Sequence, residues 1–317
     1  MDGVQIDRHL RRAQAYSIQI DRQSRLAQLY GIQIDRHLRR AQANGVPEKY
    51  STEPSNGERI SMNHKPTFLN QNKPLITAMI QEPDFNTVLR RIRKGKFDGA
   101  DAFGLQLEDL DKKFRSEDNL RAIFSAMGSC PAYVTNYRYH MNQGDTDEEC
   151  VKGLETMVKY GATLVDVMGD LYKPHPIQLT EDAGAVSRQI DTIKKFHDMG
   201  AEVLMSSHVM KFIDGDEVLR IAEAQMKRGA DISKIVTAAN SEAEEIENLR
   251  TVERLKSELG IPFLFLAGGS HNRILRQIGP FLGEVMWLTV IEYDQHSTMN
   301  QPLLRSIRAI ADNFDRY

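Results

Sequence analysis

Cysteine is scarce in this chain: Cys130 and Cys150 are the only two among 317 residues. Two thiols lay down no disulfide framework, which fits a reducing cytoplasm, and neither has a CxxC partner or a histidine at metal-ligand spacing, which argues against a structural zinc site. Long apolar runs are also missing. Stretches such as 261–267 fall far short of the roughly 20 residues that span a bilayer, and no basic start followed by an apolar core marks a secretory signal. Excess positive charge is absent too, since 41 Lys and Arg stand against 44 Asp and Glu for a net of −3, which argues against a general nucleic-acid binder. No GxGxxG opens the first helix and no P-loop occurs, so neither sequence cradle for a bound dinucleotide or nucleoside triphosphate is present. What remains, with 41% apolar and 27% charged residues, is enough to bury a sizeable core.

The chain divides unevenly. Residues 1–46 carry a 14-residue repeat, seen in Ile6-Asp7-Arg8-His9-Leu10-Arg11-Arg12-Ala13 and again in Ile34-Asp35-Arg36-His37-Leu38-Arg39-Arg40-Ala41. Fourteen is two heptads, and one heptad position reads Ile6, Ala13, Ile20, Ala27, Ile34, Ala41, which would draw an apolar seam along a helix. Its companion position holds Leu10, Ser17, Ser24, Gly31 and Leu38, so the seam is thin. Eight Arg and four Asp give this arm +4 and leave −7 for the rest. Two readings stay open: a basic arm that engages an unknown partner or the acidic body, or a duplicated segment forming marginal helix or none. Residues 47–72 read as a linker, broken by Pro47, Pro54, Gly57 and Pro66.

From 73 to 317 short apolar runs alternate eight times with amphipathic segments. Strands are expected at 75–80, 100–108, 132–138, 163–168, 202–208, 231–238, 262–267 and 285–292, with a helix after each. Gly161, Gly200, Gly229 and Gly260 each stand just before a strand, as helix-ending residues do. Eight such units over about 245 residues match a closed (β/α)8 TIM barrel, with an open doubly wound sheet as the competitor.

In a barrel, polar side chains at the carboxyl ends of strands face the mouth. The candidates are Gln106 and Glu108 on strand two, Asn136 and Arg138 on strand three, Asp166 on strand four, Ser206 and His208 on strand five, and Lys234 on strand six. Lys234 is the most telling, because an amine in the apolar run Ile232-Ser233-Lys234-Ile235-Val236 is partly desolvated, which favours the free base and leaves a nucleophile for a ketone or aldehyde. The plainer alternative is a buried stem whose head reaches a carboxylate or solvent.

The stretches Val203-Leu204-Met205-Ser206-Ser207-His208 and Gly229-Ala230-Asp231-Ile232-Ser233-Lys234-Ile235 resemble the type I 3-dehydroquinate dehydratases, in which a paired histidine and Schiff-base lysine lie on adjacent strands. Further matches are Gly99-Ala100-Asp101, Asp166, Arg276 ahead of Gly283, and Gln301 after Ser297-Thr298-Met299-Asn300, over roughly residues 72–314. The resemblance implies that Lys234 forms an imine with the ketone of 3-dehydroquinate, that His208 takes the α-proton and returns a proton to the leaving hydroxyl, and that Asp166 orients His208 or holds its imidazolium. It assigns the substrate to Arg276, Gln301, Arg138, Gln106, Glu108 and Ser297. It implies no cofactor and no metal, a keto-acid substrate, no membrane and no nucleic acid, and a cytoplasmic homodimer in the shikimate pathway of aromatic amino acid biosynthesis.

The departures bear on substrate choice. Where the family presents Glu, Arg and an acid along strand two, this chain has Gly104, Gln106 and Glu108. Asn142-Gln143-Gly144 replaces Glu-Gly-Gly, Met168 replaces an acid, Arg138 lies one residue off its spacing, and Thr298-Met299-Asn300-Gln301 replaces Ala-Pro-Gly-Gln. Each lost charge-assisted hydrogen bond is worth about 1.5–3 kcal/mol. Alternatives therefore stay open: imine chemistry, as lyase or aldolase, on another keto compound, and a non-catalytic barrel scaffold with a partner-binding arm. The arm lies outside the matched stretch and is expected to be dispensable, so a chain starting near Lys73 should turn over substrate at the full-length rate; loss of activity in a steady-state assay would show otherwise.

Overall fold

The computed structural model describes residues 67–69 and 71–314; the repeat arm and most of the expected linker lie outside them. Eight strands, β1 (Leu75–Ile80), β2 (Ala102–Gln106), β3 (Ala132–Thr135), β4 (Leu164–Met168), β5 (Glu202–His208), β6 (Ile232–Ala238), β7 (Phe263–Gly268) and β8 (Met286–Thr289), alternate with eight helices. These are α1 (Phe85–Phe97), α2 (Glu117–Met127), α3 (Asp147–Tyr160), α4 (Ala183–Asp198), α5 (Gly215–Lys227), α6 (Glu242–Glu258), α7 (Arg273–Leu282) and α8 (Leu304–Phe314). All ladders are parallel, in the order β7-β6-β5-β4-β3-β2-β1-β8. The remaining seam is drawn together where Val285 N–H, just ahead of β8, donates to the Phe263 carbonyl of β7 (3.0 Å). The result is the expected (β/α)8 barrel.

Local chemistry accounts for the elements. Asp84, Ser116, Asp182, Asp214 and Ser241 each cap a helix by accepting from a backbone N–H in its first turn, and Thr146 with Glu149 forms a reciprocal capping box on α3. Along the strands, side chains alternate between two cores. Met79, Tyr133, Leu164, Leu204, Ile232 and Leu264 fill the barrel interior, while Ile76, Phe103, Val134 and Val165 pack outward with the helices.

Three strands end two or three residues short of the sequence reading, β8 among them, at Thr289 rather than 292. β3 ends at Thr135 rather than 138, and β2 gives way after Gln106 to a 3-10 turn at Leu107–Asp109. The expected linker also ends inside the barrel. Phe68 is fully buried with the interior residues, its ring edge-on to Tyr133 at 6.5 Å, and the Glu202 carboxylate accepts the N–H groups of Phe68 (2.8 Å) and Leu69 (3.1 Å). An aromatic plug reads as linker because one Phe among Pro, Asn and Lys carries no periodicity. Phe68→Ala should cost about 3–5 kcal/mol in urea unfolding, and a chain starting at Lys73 should be less stable than one starting at Thr67; equal unfolding midpoints would show that the plug contributes nothing.

Candidate active site

The carboxyl ends of the strands surround a cavity of about 420 Å³. Lys234, on β6, enters it from a buried position, 4% exposed. Its Nζ donates to Tyr137 Oη (2.8 Å), Tyr133 Oη (3.0 Å) and Asp166 Oδ2 (3.1 Å). Both phenols donate in turn to Asp166 Oδ2, Tyr137 at 2.5 Å, and Ser206 Oγ donates to Asp166 Oδ1 at 2.5 Å. Desolvation pushes the Asp166 carboxyl up, but the Lys234 charge and the three hydroxyl donors outweigh it and hold it below the ordinary range. The amine therefore sits in a cage of oxygens on an apolar barrel, closer to the plainer reading of a buried stem whose head meets a carboxylate than to an amine held in apolar surroundings alone.

His208 ends β5, beside Lys234 in the ladder, where Ser206 pairs with Lys234 and His208 with Val236. It is half-buried and lines the same cavity. Its partner is Gln178, in the loop after β4, whose Oε1 lies 2.7 Å from Nδ1 and 3.1 Å from the His208 backbone nitrogen. Desolvation, with repulsion from Lys234 next, pushes the imidazole down to about 3. At neutral pH it is an uncharged base. Asp166 is spent on Lys234, the two phenols and Ser206, so the orientation of His208 falls to an amide rather than to that carboxylate.

Arg276, in the first turn of α7, is buried and lines the cavity. Its Nε donates to the Ala267 carbonyl (2.7 Å), and its other two guanidinium nitrogens have no hydrogen-bond partner among the described residues. Burial lowers it to about 10, opposed by Glu284, so it keeps its charge at neutral pH. Gln301 lines the cavity too, with Oε1 buried and unpartnered. Gln106 is present through a chain in which Gln81 Nε2 donates to Gln106 Oε1 (2.5 Å) and to Thr298 Oγ1 (2.6 Å).

Three expected substrate contacts lie elsewhere. Arg138 faces away: it pairs with Asp147 and Asp170, and Asn136 beside it donates to the Cys150 carbonyl of α3. β3 has the opposite parity from the one assumed, so Tyr133, Thr135 and Tyr137 turn inward and 136 and 138 turn outward. Glu108 is wholly buried behind Thr135, whose hydroxyl donates to it at 2.8 Å, and does not line the cavity. Ser297 is consumed by its own turn, donating to the Glu292 carbonyl and to Asp294 Oδ1, both at 2.8 Å, while the adjacent Thr298 supplies the lining. Sequence reasoning missed Tyr133 and Tyr137, although their spacing of two with Thr135 was a readable signal. It also missed Gln178, for which a loop gives no periodicity. Among the described residues, no group of three or more His, Cys, Asp or Glu side chains could hold a metal ion.

A model of the type I 3-dehydroquinase family matches residues 76–314, about three-quarters of the chain. The chain belongs to this family. Its members are carbon–oxygen lyases, and the match spans all eight strands but for the first residue of β1. Among solved structures, the type I 3-dehydroquinase barrel described here is similar to the 3-dehydroquinate dehydratase of Geobacillus kaustophilus (TM-score 0.65, 18% identity, covering 78% of this chain and 93% of that one). The type I enzyme of Clostridium difficile (0.64, 14%, 77% and 93%) and the enzyme of Enterococcus faecalis (0.61, 16%, 77% and 95%) are similar likewise. No curated protein matches the chain.

Glu108 yields a test of the site's electrostatics. Desolvation pushes its carboxyl up from 4.5 to about 7, so the folded state holds the proton more tightly than the unfolded chain does. Stability from this group is fully present below pH 4.5 and is lost as pH rises to about 7. Glu108→Gln should remove that loss, gaining about 3 kcal/mol relative to the parent between pH 5 and pH 8 in urea unfolding; parallel pH profiles would place the ionised carboxylate in a favourable setting.

Proposed function

We propose that this barrel dehydrates 3-dehydroquinate to 3-dehydroshikimate through an imine on Lys234, with His208 moving the protons. The observation that carries this is the pairing of a buried amine with an uncharged imidazole on the neighbouring strand, lining one cavity with a buried arginine. The Lys234 ammonium passes a proton to the ketone oxygen, the freed amine adds to the carbonyl carbon and water leaves, giving a protonated imine whose charge stays beside Asp166. His208 Nε2 takes the α-proton, the C–H electron pair forms the C=C bond of an enamine, and the C=N π pair moves onto nitrogen. The enamine expels the β-hydroxyl, which leaves as water with the proton from His208. Hydrolysis of the conjugated imine then frees the enone and the lysine. Arg276 has two guanidinium nitrogens to offer the substrate carboxylate, and the unpartnered Gln301 Oε1 accepts from a ring hydroxyl. Tyr133 and Tyr137 stay protonated, because burial and Asp166 push their phenols up, so they serve as fixed donors around the amine. A cytoplasmic homodimer serving the shikimate pathway belongs to the same proposal; the free thiols of Cys130 and Cys150 accord with a reducing compartment.

A second reading is favoured by one observation. A side chain at Gly104, where the family presents a glutamate, would run into Met79 Sδ, so a thioether lines the cavity in place of a charge. That suits a cyclic or sugar-derived keto compound with fewer hydroxyls to bind. Borohydride added with 3-dehydroquinate should leave a stable adduct on Lys234, and turnover should give an enone absorbing in the ultraviolet. An adduct without enone selects the second reading, and silence across a keto-acid panel removes both. His208→Ala should slow turnover by about 10²- to 10⁴-fold while trapping falls far less; equal losses would take the proton-carrier role from it.

A further inference from the structure

We propose that Gln178 is the positioning residue that fixes the tautomer of His208, placing the proton on Nδ1 and leaving the Nε2 lone pair as the base of the site. This rests on the reading that His208 moves protons in the imine cycle.

The argument begins with a donor that cannot change role. The His208 backbone N–H only donates, and the atom 3.1 Å from it is Gln178 Oε1. That contact tells amide oxygen from amide nitrogen, since the reverse orientation would set two donors against each other. The same Oε1 lies 2.7 Å from His208 Nδ1, so Nδ1 must carry a hydrogen to donate. A neutral imidazole has one such hydrogen, and Nε2, which has no hydrogen-bond partner among the described residues, is left with its lone pair in a residue that lines the cavity.

Gln178 is itself held firmly. Its backbone sits in the left-handed region at φ 48°, and its carbonyl accepts from Ser207 Oγ (2.8 Å), which in turn accepts from Gln225 Nε2 (3.0 Å). Its loop is tied down at both ends by Arg228, which donates to the carbonyls of Gly169 (2.9 Å) and Thr180 (2.6 Å). The Gln178 carbonyl also approaches Gly169 closely enough that no Cβ would fit there. So much anchoring of a residue with an unfavourable backbone points to a side chain whose placement matters.

The charges facing His208 are Lys234 from β6, Asp166 from β4 and Arg276 from α7, and the Tyr137 ring beyond β3 packs edge-on against it at 5.4 Å. None of these touches Nδ1, so Gln178 alone among them dictates the tautomer. An amide does this without adding a negative charge, whereas a carboxylate at 178 would hold the imidazolium.

The test uses full-length protein with ¹⁵N-labelled histidine, the His208 signal being assigned by its loss in His208→Ala. Ligand-free parent protein should show a single tautomer protonated at Nδ1. Gln178→Ala should give mixed tautomers and lower kcat about 10- to 100-fold, the usual effect of an outer-shell partner, with KM and the borohydride trapping rate changed far less. Gln178→Glu keeps both acceptor contacts, so it should fold, and should move the His208 titration and the acid limb of kcat/KM to higher pH. An unchanged tautomer in Gln178→Ala, or an unmoved titration in Gln178→Glu, would overturn the proposal. The NMR arms need no substrate, so they decide the role of Gln178 even if 3-dehydroquinate is not turned over, an outcome that would count against the function alone.

Discussion

A positive charge at Lys234 Nζ, held inside an apolar barrel, sets the terms for the rest of the mouth. Removing an ammonium from water costs several kcal/mol even after relaxation, and only a well-placed carboxylate with its own hydrogen bonds recovers that cost. Asp166 meets the requirement: one oxygen takes the ammonium and both phenols, the other takes Ser206. Every partner except Tyr137, which stands two residues past the end of β3, comes from the inward parity of neighbouring strands, so the barrel register and the charge cage are closely tied. In the proposed cycle a protonated imine would carry its charge where the ammonium carries it, so Asp166 would need no rearrangement as that intermediate forms.

Desolvation acts on four groups of this region and gives each a different state. It leaves His208 an uncharged base, brings Glu108 close to neutrality, lowers Arg276 without discharging it, and loses to nearby donors at Asp166. The outcome depends on how many partners each group has. Asp166 has four, while Arg276 spends one nitrogen on a backbone carbonyl and keeps the rest of its guanidinium for whatever fills the cavity. These four groups thus differ through hydrogen bonding on one barrel more than through residue type.

Much of this was legible in the residues. Period-two apolar runs between helices gave the barrel, and β1 and β5 fall where the pattern put them. Lys234, His208, Asp166, Arg276, Gln301 and Gln106 stand together at one end. The failures have a common form. On β3 both parities carry polar side chains, Tyr133-Thr135-Tyr137 against Asn136-Arg138, and the charged set was assigned to the mouth although it caps the outside by pairing with Asp147 and Asp170. Ser297 and Thr298 differ by one residue in a turn, and only backbone geometry says which hydroxyl is spent. Phe68 and Gln178 act from segments without periodicity, where the chain gives no warning that a side chain reaches the core.

The composition of the cavity wall bears on what it selects. Met79 over Gly104 and amides at 106, 178, 300 and 301 make a pocket poor in charge apart from Lys234 and Arg276. Amides hydrogen-bond hydroxyls as donors or acceptors but anchor carboxylates weakly, so under the proposed function the carboxylate of a keto acid would sit against Arg276. A ligand bound there would be oriented by one charged contact at α7 and one covalent bond at β6, with the amides between them reading hydroxyls. Two fixed points define an axis and leave rotation about it, and the neutral partners set that rotation. On the proposed reading, specificity would rest with hydrogen-bond geometry at uncharged side chains, and the reacting groups would be left to the chemistry.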